Sequence, residues 1–178
     1  LLPEEPYLLF VGDLRGQKGL HVLLAAYEQL RNRPPLVLIG RPCPDTPERL
    51  PQGVRILTRW PHPSVMRAWH RSLFGLAPSI WPEPCATVVL EAMACGKPVI
   101  ASDMGGNPDM VAHEQTGLLV PANNAAALAG AMQRLLDDPA LRERMGTAAL
   151  QKVKAFQAGA VIPRIEGIYR ALIRARGT

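Results

Sequence analysis

The chain has 178 residues, 48% of them hydrophobic and 20% charged, with a formal net charge of +5. That length suits one domain with a sizeable core, and the composition is that of a globular α/β protein rather than a disordered or fibrous chain. Aromatic residues make up only 5% and the lysines and arginines are scattered, which argues against a base-stacking platform for nucleic acid. The positive charge reads either as a solubilising surface or as attraction for an anionic partner.

The three cysteines, Cys43, Cys85 and Cys95, contain no C-x-x-C pair and are odd in number. A disulfide framework and a zinc site are both disfavoured, and a reducing compartment fits. No secretory signal is visible at the start, and no apolar run reaches the about 18 residues of a spanning helix. The expectation is a cytoplasmic protein.

Residues 7–11 form an apolar run ending at Gly12, the pattern of a buried strand followed by a loop. Leu20, Leu23, Leu24, Tyr27 and Leu30 then recur at helical spacing, which predicts an amphipathic helix over 19–30. Residues 36–39 read as a second strand and 54–57 as a third, separated by a loop that holds four prolines. A helix is expected over 63–71, with Pro63 in its first turn. Strands follow at 73–77, 98–101 and 117–120, with helices at 87–95 and 107–112 between them. After Pro121 the pattern turns helical, with helices expected at 125–136, 139–156 and 163–174. Short apolar strands alternating with helices imply a parallel sheet covered on both faces. The last helix carries Arg164, Arg170 and Arg174 and reads as packed on this domain or on a partner domain.

Two loops carry the chemistry. The first, Gly12-Asp13-Leu14-Arg15-Gly16-Gln17-Lys18-Gly19, follows a strand and opens a helix. Its glycines let backbone approach a ligand, and the helix start offers free N–H groups. It lacks the G-x-x-x-x-G-K-[ST] order of a P-loop and the G-x-G-x-x-G of a dinucleotide fold, which argues against a dehydrogenase. Lys18 alone reads as a solvated helix-start lysine.

The second is the stretch WPEPCATVVLEAMACGKPVIASDMGG over 81–106, with seven residues between Glu83 and Glu91 and the Gly105-Gly106 pair at its end. Ligands of open α/β sheets bind at the turns after strands. A Glu in the turn and a Glu within the helix would reach two parts of one elongated ligand. Taken alone, Glu91 reads equally as a helix-surface charge, Glu83 as a turn acid and Gly105-Gly106 as a tight turn.

Together these segments resemble the donor-binding half of group 1, retaining, nucleotide-sugar-dependent glycosyltransferases of the two-domain GT-B fold. The resemblance runs from Phe10 to about Phe156 and includes T-G-L-L-V-P-A and L-D-D-P-A-L-R-E-R-M-G near the end. It implies a single Rossmann-like domain over residues 1–178. The fold would be a three-layer α/β/α arrangement with a parallel sheet of about six strands, followed by C-terminal helices. A preceding acceptor-binding domain is absent from these residues, so the chain would bind its donor weakly and catalyse little alone.

The resemblance also assigns roles. Lys18 matches the lysine of the family's G-R-L-x-x-x-K-G segment and would grip the donor diphosphate. Asp13 stands where the family has Arg, and Arg15, two residues on, is a candidate replacement. Glu83 would meet hydroxyls of the transferred sugar and Glu91 the ribose diol, since ionised carboxylates accept and diols donate. Glu83 and Lys18 are thus the catalytic candidates. Gly12, Gly16, Cys85, Ala86, Thr87, Val88, Gly105 and Gly106 would line the donor, and Arg59 would lie against its base. Cys85-Ala86-Thr87 replaces the family's Phe-Gly-Leu, a change in the pocket wall. With no Asp-x-Asp motif, no obligatory metal and no cofactor beyond the donor substrate is expected. The implied partners are a nucleotide-sugar donor, an acceptor glycan, lipid or small molecule, and for the full-length enzyme a peripheral contact at the inner face of a membrane. Two alternatives stay open: a non-catalytic nucleotide-sugar-binding module, favoured by Asp13, and a nucleotide-sugar epimerase of the same architecture.

Overall fold

The computed structural model describes residues 1–176, so the last two residues of the expected domain lie outside it. Six strands form one parallel sheet: β1 Tyr7–Val11, β2 Leu36–Ile39, β3 Val54–Leu57, β4 Ser72–Ala77, β5 Val99–Ser102 and β6 Gly117–Val120. Their spatial order is β3-β2-β1-β4-β5-β6. The chain therefore reverses direction of winding between β1 and β4. Seven α-helices accompany them: α1 Leu20–Glu28, α2 His62–Arg71, α3 Thr87–Ala94, α4 Asn107–Met110, α5 Ala125–Asp137, α6 Pro139–Lys152 and α7 Ala158–Arg176.

The pleat of β1 sorts its side chains to two cores, because successive residues of a strand face opposite ways. Leu8 and Phe10 join Leu23, Tyr27, Leu38, Leu76 and Leu128 on one face, beneath α1 and α5. Tyr7 and Leu9 join Val37, Trp69, Val89 and Met93 on the other, beneath α2 and α3. With both faces covered, β1 and β2 must be apolar at every position, and this is why they read as unbroken runs in the sequence. Each large side chain so buried contributes about 1.5–3 kcal/mol through removal from water.

The expected strands and helices are all present, with ends moved by a few residues. The helix expected over 107–112 is only four residues long, and that expected over 139–156 ends at Lys152 in a 3-10 turn, Val153–Phe156. The last helix departs further. It begins at Ala158, five residues before the expected start, and Pro163 sits inside it. Its apolar face does not pack on this domain, contrary to one of the two readings of the sequence. Ile162, Ile165, Ile168, Tyr169, Leu172 and Ile173 are all exposed. Among the described residues no helix is long and apolar enough to cross a membrane.

Tyr7 gives the core a measurable signature. Its hydroxyl donates to the Ala68 carbonyl at 2.8 Å, and its side chain has no solvent exposure. Burial pushes the phenol from 10.0 up to about 12, opposed by the charge of Arg71. The fold thus favours the neutral phenol. This contribution is complete below pH 10 and is lost as pH rises through 12, by roughly 3 kcal/mol at about 1.36 kcal/mol per unit. Urea denaturation between pH 8 and 12 should show this decline, and Tyr7→Phe should flatten it. Parallel slopes in the two proteins would refute the assignment.

Candidate functional site

The loops after β1, β4 and β5 meet at the carboxyl edge of the sheet, at the reversal between β1 and β4. Open α/β sheets leave a crevice at such a point. Here the loops are pressed together by glycine. Gly19, at φ +74, turns the chain into α1 so closely against Pro78 that a Cβ would lie 1.8 Å from its carbonyl oxygen. Ser79 Oγ and the Ile80 N–H both donate to the Gln17 carbonyl, at 2.9 and 3.0 Å. Lys18 is carried by this stitched pair of loops. On the other side, Cβ atoms at Gly105 and Gly106 would fall 2.4 Å from the Glu83 oxygen and 2.0 Å from the Pro84 oxygen. The Gly106 N–H donates to the Glu83 carbonyl at 2.8 Å.

The result is a cavity of about 120 Å³ lined by Phe10, Val11, Gly12, Lys18, Leu76, Ala77, Ser79, Glu83, Cys85, Ala86, Thr87, Val88 and Asn107. Across it the Lys18 ammonium and the Glu83 carboxylate form a hydrogen-bonded ion pair, although 65 residues separate them in sequence. The start of α3 opens onto the same space. Its N-cap residue, Ala86, supplies no side-chain acceptor, so the first amides of the helix are left for a ligand.

Seven of the residues singled out in the sequence therefore come together: Gly12, Lys18, Glu83, Cys85, Ala86, Thr87 and Val88. Gly105 and Gly106 do not line the cavity. They form the seat on which Glu83 rests. Glu91 is also set apart from it. Its two oxygens face the Trp69 indole N–H and His62 Nε2, each at 3.2 Å. Trp69 is buried, so this carboxylate satisfies a core indole as well as facing outward. Arg59 lies beyond β3 at φ +57, lining a separate hollow with Thr58, Trp60 and Arg71. Gly16 is turned away, its N–H donating to the Asp45 carboxylate, an arrangement that lowers the Asp45 pKa. Arg15 is exposed, and its charge acts on Asp45.

Asp13 changes meaning in the structure. Its carboxylate is held by Arg41 at 2.9 Å, and that bond raises the Arg41 pKa. Asp13 does not line the cavity, so its charge is turned to a local partner rather than toward a bound anion. The sequence reading missed Ser79 and Asn107. Ser79 followed a strand with no motif to mark it. Asn107 had a signal, since Asn ahead of Pro commonly opens a helix. Here the cap position falls on Gly106 and the Asn107 side chain turns inward. Among the described residues no group of three or more His, Cys, Asp or Glu side chains is placed to hold a metal ion.

The sequence profile of the family described as glycosyl transferases group 1 matches residues 1–152. The glycogen synthase of Mycobacterium tuberculosis is 33% identical over 156 residues, which is 82% of this chain and 37% of that protein. The sucrose-phosphate synthase of Thermosynechococcus elongatus superposes with a TM-score of 0.85 at 36% identity, covering 98% of this chain and 47% of that one. HepE of Anabaena, solved in complex with UDP, shares the fold at a TM-score of 0.80 and 24% identity, covering 91% and 48%. The chain spans less than half the length of these relatives. On the profile match alone, which takes in residues 1–152 of 178, the chain belongs to the group 1 glycosyl transferase family.

Proposed function

We propose that this chain is the donor-binding domain of a glycosyltransferase, taking a nucleoside-diphosphate sugar at the cavity between the loops after β1 and β4. The observation that carries the reading is the meeting of Lys18 and Glu83 in that cavity. One is suited to phosphate oxygens and the other to sugar hydroxyls. The UDP held by HepE of Anabaena supports a nucleoside diphosphate as the ligand class.

In this mechanism the diphosphate replaces Glu83 as the partner of Lys18. The unoccupied amides at the start of α3 add donors to the same oxygens. As the bond from the anomeric carbon to the diphosphate breaks, charge grows on the leaving oxygens, and groups already placed there stabilise it. Glu83, released from Lys18, accepts from sugar hydroxyls beside the oxocarbenium-like centre. Glu91 keeps its two contacts to Trp69 and His62 and still has acceptor sites for a ribose diol, because a carboxylate offers about four lone-pair directions. Transfer proceeds with retention at the anomeric carbon. The acceptor, whether glycan, lipid or small molecule, is supplied by the half of the relatives that this chain does not span. Closure of the two halves excludes water. The Lys18 ammonium serves where other enzymes place a divalent cation, so no metal is required. The Asp13–Arg41 pair removes the argument for an inert module, since no uncompensated acid faces the cavity.

Calorimetric titration with UDP, GDP and ADP, with and without magnesium, tests this. One of the three should bind without metal. Lys18→Ala should weaken it by about 10- to 100-fold, the range for a lost charge-assisted hydrogen bond. Glu91→Gln keeps an acceptor for Trp69 and should weaken the same nucleotide more mildly. Failure of all three nucleotides to bind would overturn the reading.

The ion pair gives a second, less obvious expectation. Removing the Glu83 charge frees Lys18, so Glu83→Gln should tighten binding of the bare nucleoside diphosphate while transfer of sugar by the complete enzyme falls. The pair is partly exposed, and such pairs are worth about 0.2–1 kcal/mol, so the gain should be roughly 1.4- to fivefold and should shrink with added salt. Weaker nucleotide binding in Glu83→Gln would count against the exchange.

A further inference from the structure

We propose that Asn107 selects the donor sugar, its side-chain oxygen Oδ1 accepting a hydrogen bond from a hydroxyl or N–H group of the transferred residue. This rests on the donor-site reading above and adds a residue that neither motif nor charge had marked.

The side chain is 3% exposed, and its Nδ2 donates to the Ser102 carbonyl at 3.0 Å. That bond fixes the orientation of the amide, because a carbonyl oxygen can only be met by the N–H side. Oδ1 therefore points the other way, and it is buried without a hydrogen-bond partner, the single side-chain atom of this kind among the described residues. Most buried polar atoms have partners, and an orphan is unfavourable unless something completes it. Asn107 lines the same cavity as Lys18, Glu83 and Cys85, so an occupant of that cavity is the group placed to complete it.

The chemistry of the atom narrows the ligand group. An amide oxygen only accepts. It repels phosphate oxygens and suits a hydroxyl or an N–H, so it addresses the sugar and not the diphosphate. Its placement agrees. Asn107 directly follows Gly105 and Gly106, whose backbone is locked to Glu83 and Pro84 at distances that exclude a Cβ. Glu83 and Asn107 are thus joined through packed backbone, a charged and a neutral acceptor lining the same cavity. The cavity of about 120 Å³ is smaller than the about 300–1,000 Å³ of typical ligand pockets, with Lys18 and Glu83 paired across it. Arrival of a sugar ring would part that pair and enlarge the space beside Asn107.

A site that hydrogen-bonds a substrate group discriminates strongly against an analogue lacking it, because the buried partner is then left unpaired. The test uses whichever nucleoside diphosphate binds the wild-type chain, together with its glucose, galactose, mannose and N-acetylglucosamine conjugates, titrated by calorimetry. Wild type should separate the four conjugates. Asn107→Leu, of similar volume but without polar atoms, should bind the bare nucleotide within twofold of wild type and lose tenfold or more of that separation. Unchanged separation in a folded Asn107→Leu, or a wild type that binds all four alike, would overturn the role of Asn107 while leaving the donor site standing. No nucleotide binding at all would overturn both. Should the Leu form not fold, a crystal structure of the wild-type chain with its preferred conjugate decides. A sugar hydroxyl or N–H within hydrogen-bond distance of Oδ1 supports the proposal, and a water or protein donor there refutes it.

Discussion

The site depends on backbone meeting backbone where side chains would keep loops apart. Gly19 against Pro78, and Gly105 and Gly106 against Glu83 and Pro84, bring three loops to distances that no Cβ allows. A parallel sheet delivers its loops to one edge, but only to within the roughly 4.8 Å spacing of neighbouring strands. Closing the remaining gap takes residues without side chains. Once closed, the loops hold Lys18, Glu83 and Asn107 in fixed relation without those residues having to position themselves. The polar side chains are then free to face a ligand, which is what preorganised chemistry needs.

The same constraint accounts for the charge arrangement. A partly buried ammonium and a partly buried carboxylate brought to one cavity pair with each other when nothing else is there. Loops one layer further out do likewise. Arg41 neutralises Asp13, and Asp45 takes the Gly16 N–H, so that the glycine loop is braced from outside by the segment after β2. Leu14 is part of that brace, its N–H donating to the Arg41 carbonyl at 2.9 Å and its carbonyl accepting from Thr46. An acid at position 13 is therefore a structural tie that does not line the cavity.

The architecture was legible because it rests on local pattern. Strands buried on both faces have to be apolar throughout, and helices packed on a sheet show one apolar stripe, so both can be read within ten residues. Glu83, Lys18 and the α3 start were legible through motif order. What escaped the sequence was pairing at long range. Lys18 with Glu83, Arg41 with Asp13 and Trp69 with Glu91 are 65, 28 and 22 residues apart, and nothing in their own neighbourhoods names the partner. Arg15 looked like the natural substitute for a missing arginine because it was near in sequence, yet the turn that follows it faces Asp45 instead. Asn107 escaped for another reason. As a residue type at a helix start it signals a cap, and only burial distinguishes a cap from an inward-facing acceptor. The last helix begins five residues before the span that its apolar stripe marks in the sequence, and so takes Pro163 into its interior. Pro163 is the sixth residue of the helix, past its four unpartnered amides, so it forgoes one i→i−4 bond, to the Gly159 carbonyl.

Charge and neutrality divide the labour in this cavity. On the proposed reading, binding a diphosphate sugar would exchange one ion pair for another set of contacts: Lys18 would give up a carboxylate for phosphate oxygens, and Glu83 an ammonium for hydroxyls. Exchanges of that kind are nearly balanced in ground-state affinity, because each group was already partnered before the ligand came. Their benefit would lie in the transition state, where charge on a leaving phosphate grows and an interaction with Lys18 would strengthen. Asn107 Oδ1 stands outside the exchange. It has no protein partner to surrender and carries no charge for salt to screen. On the proposed reading such a cavity would draw its rate from the ion pair and its selectivity from the orphaned Asn107 oxygen, with the glycines between them joining Asn107 to the Glu83 loop.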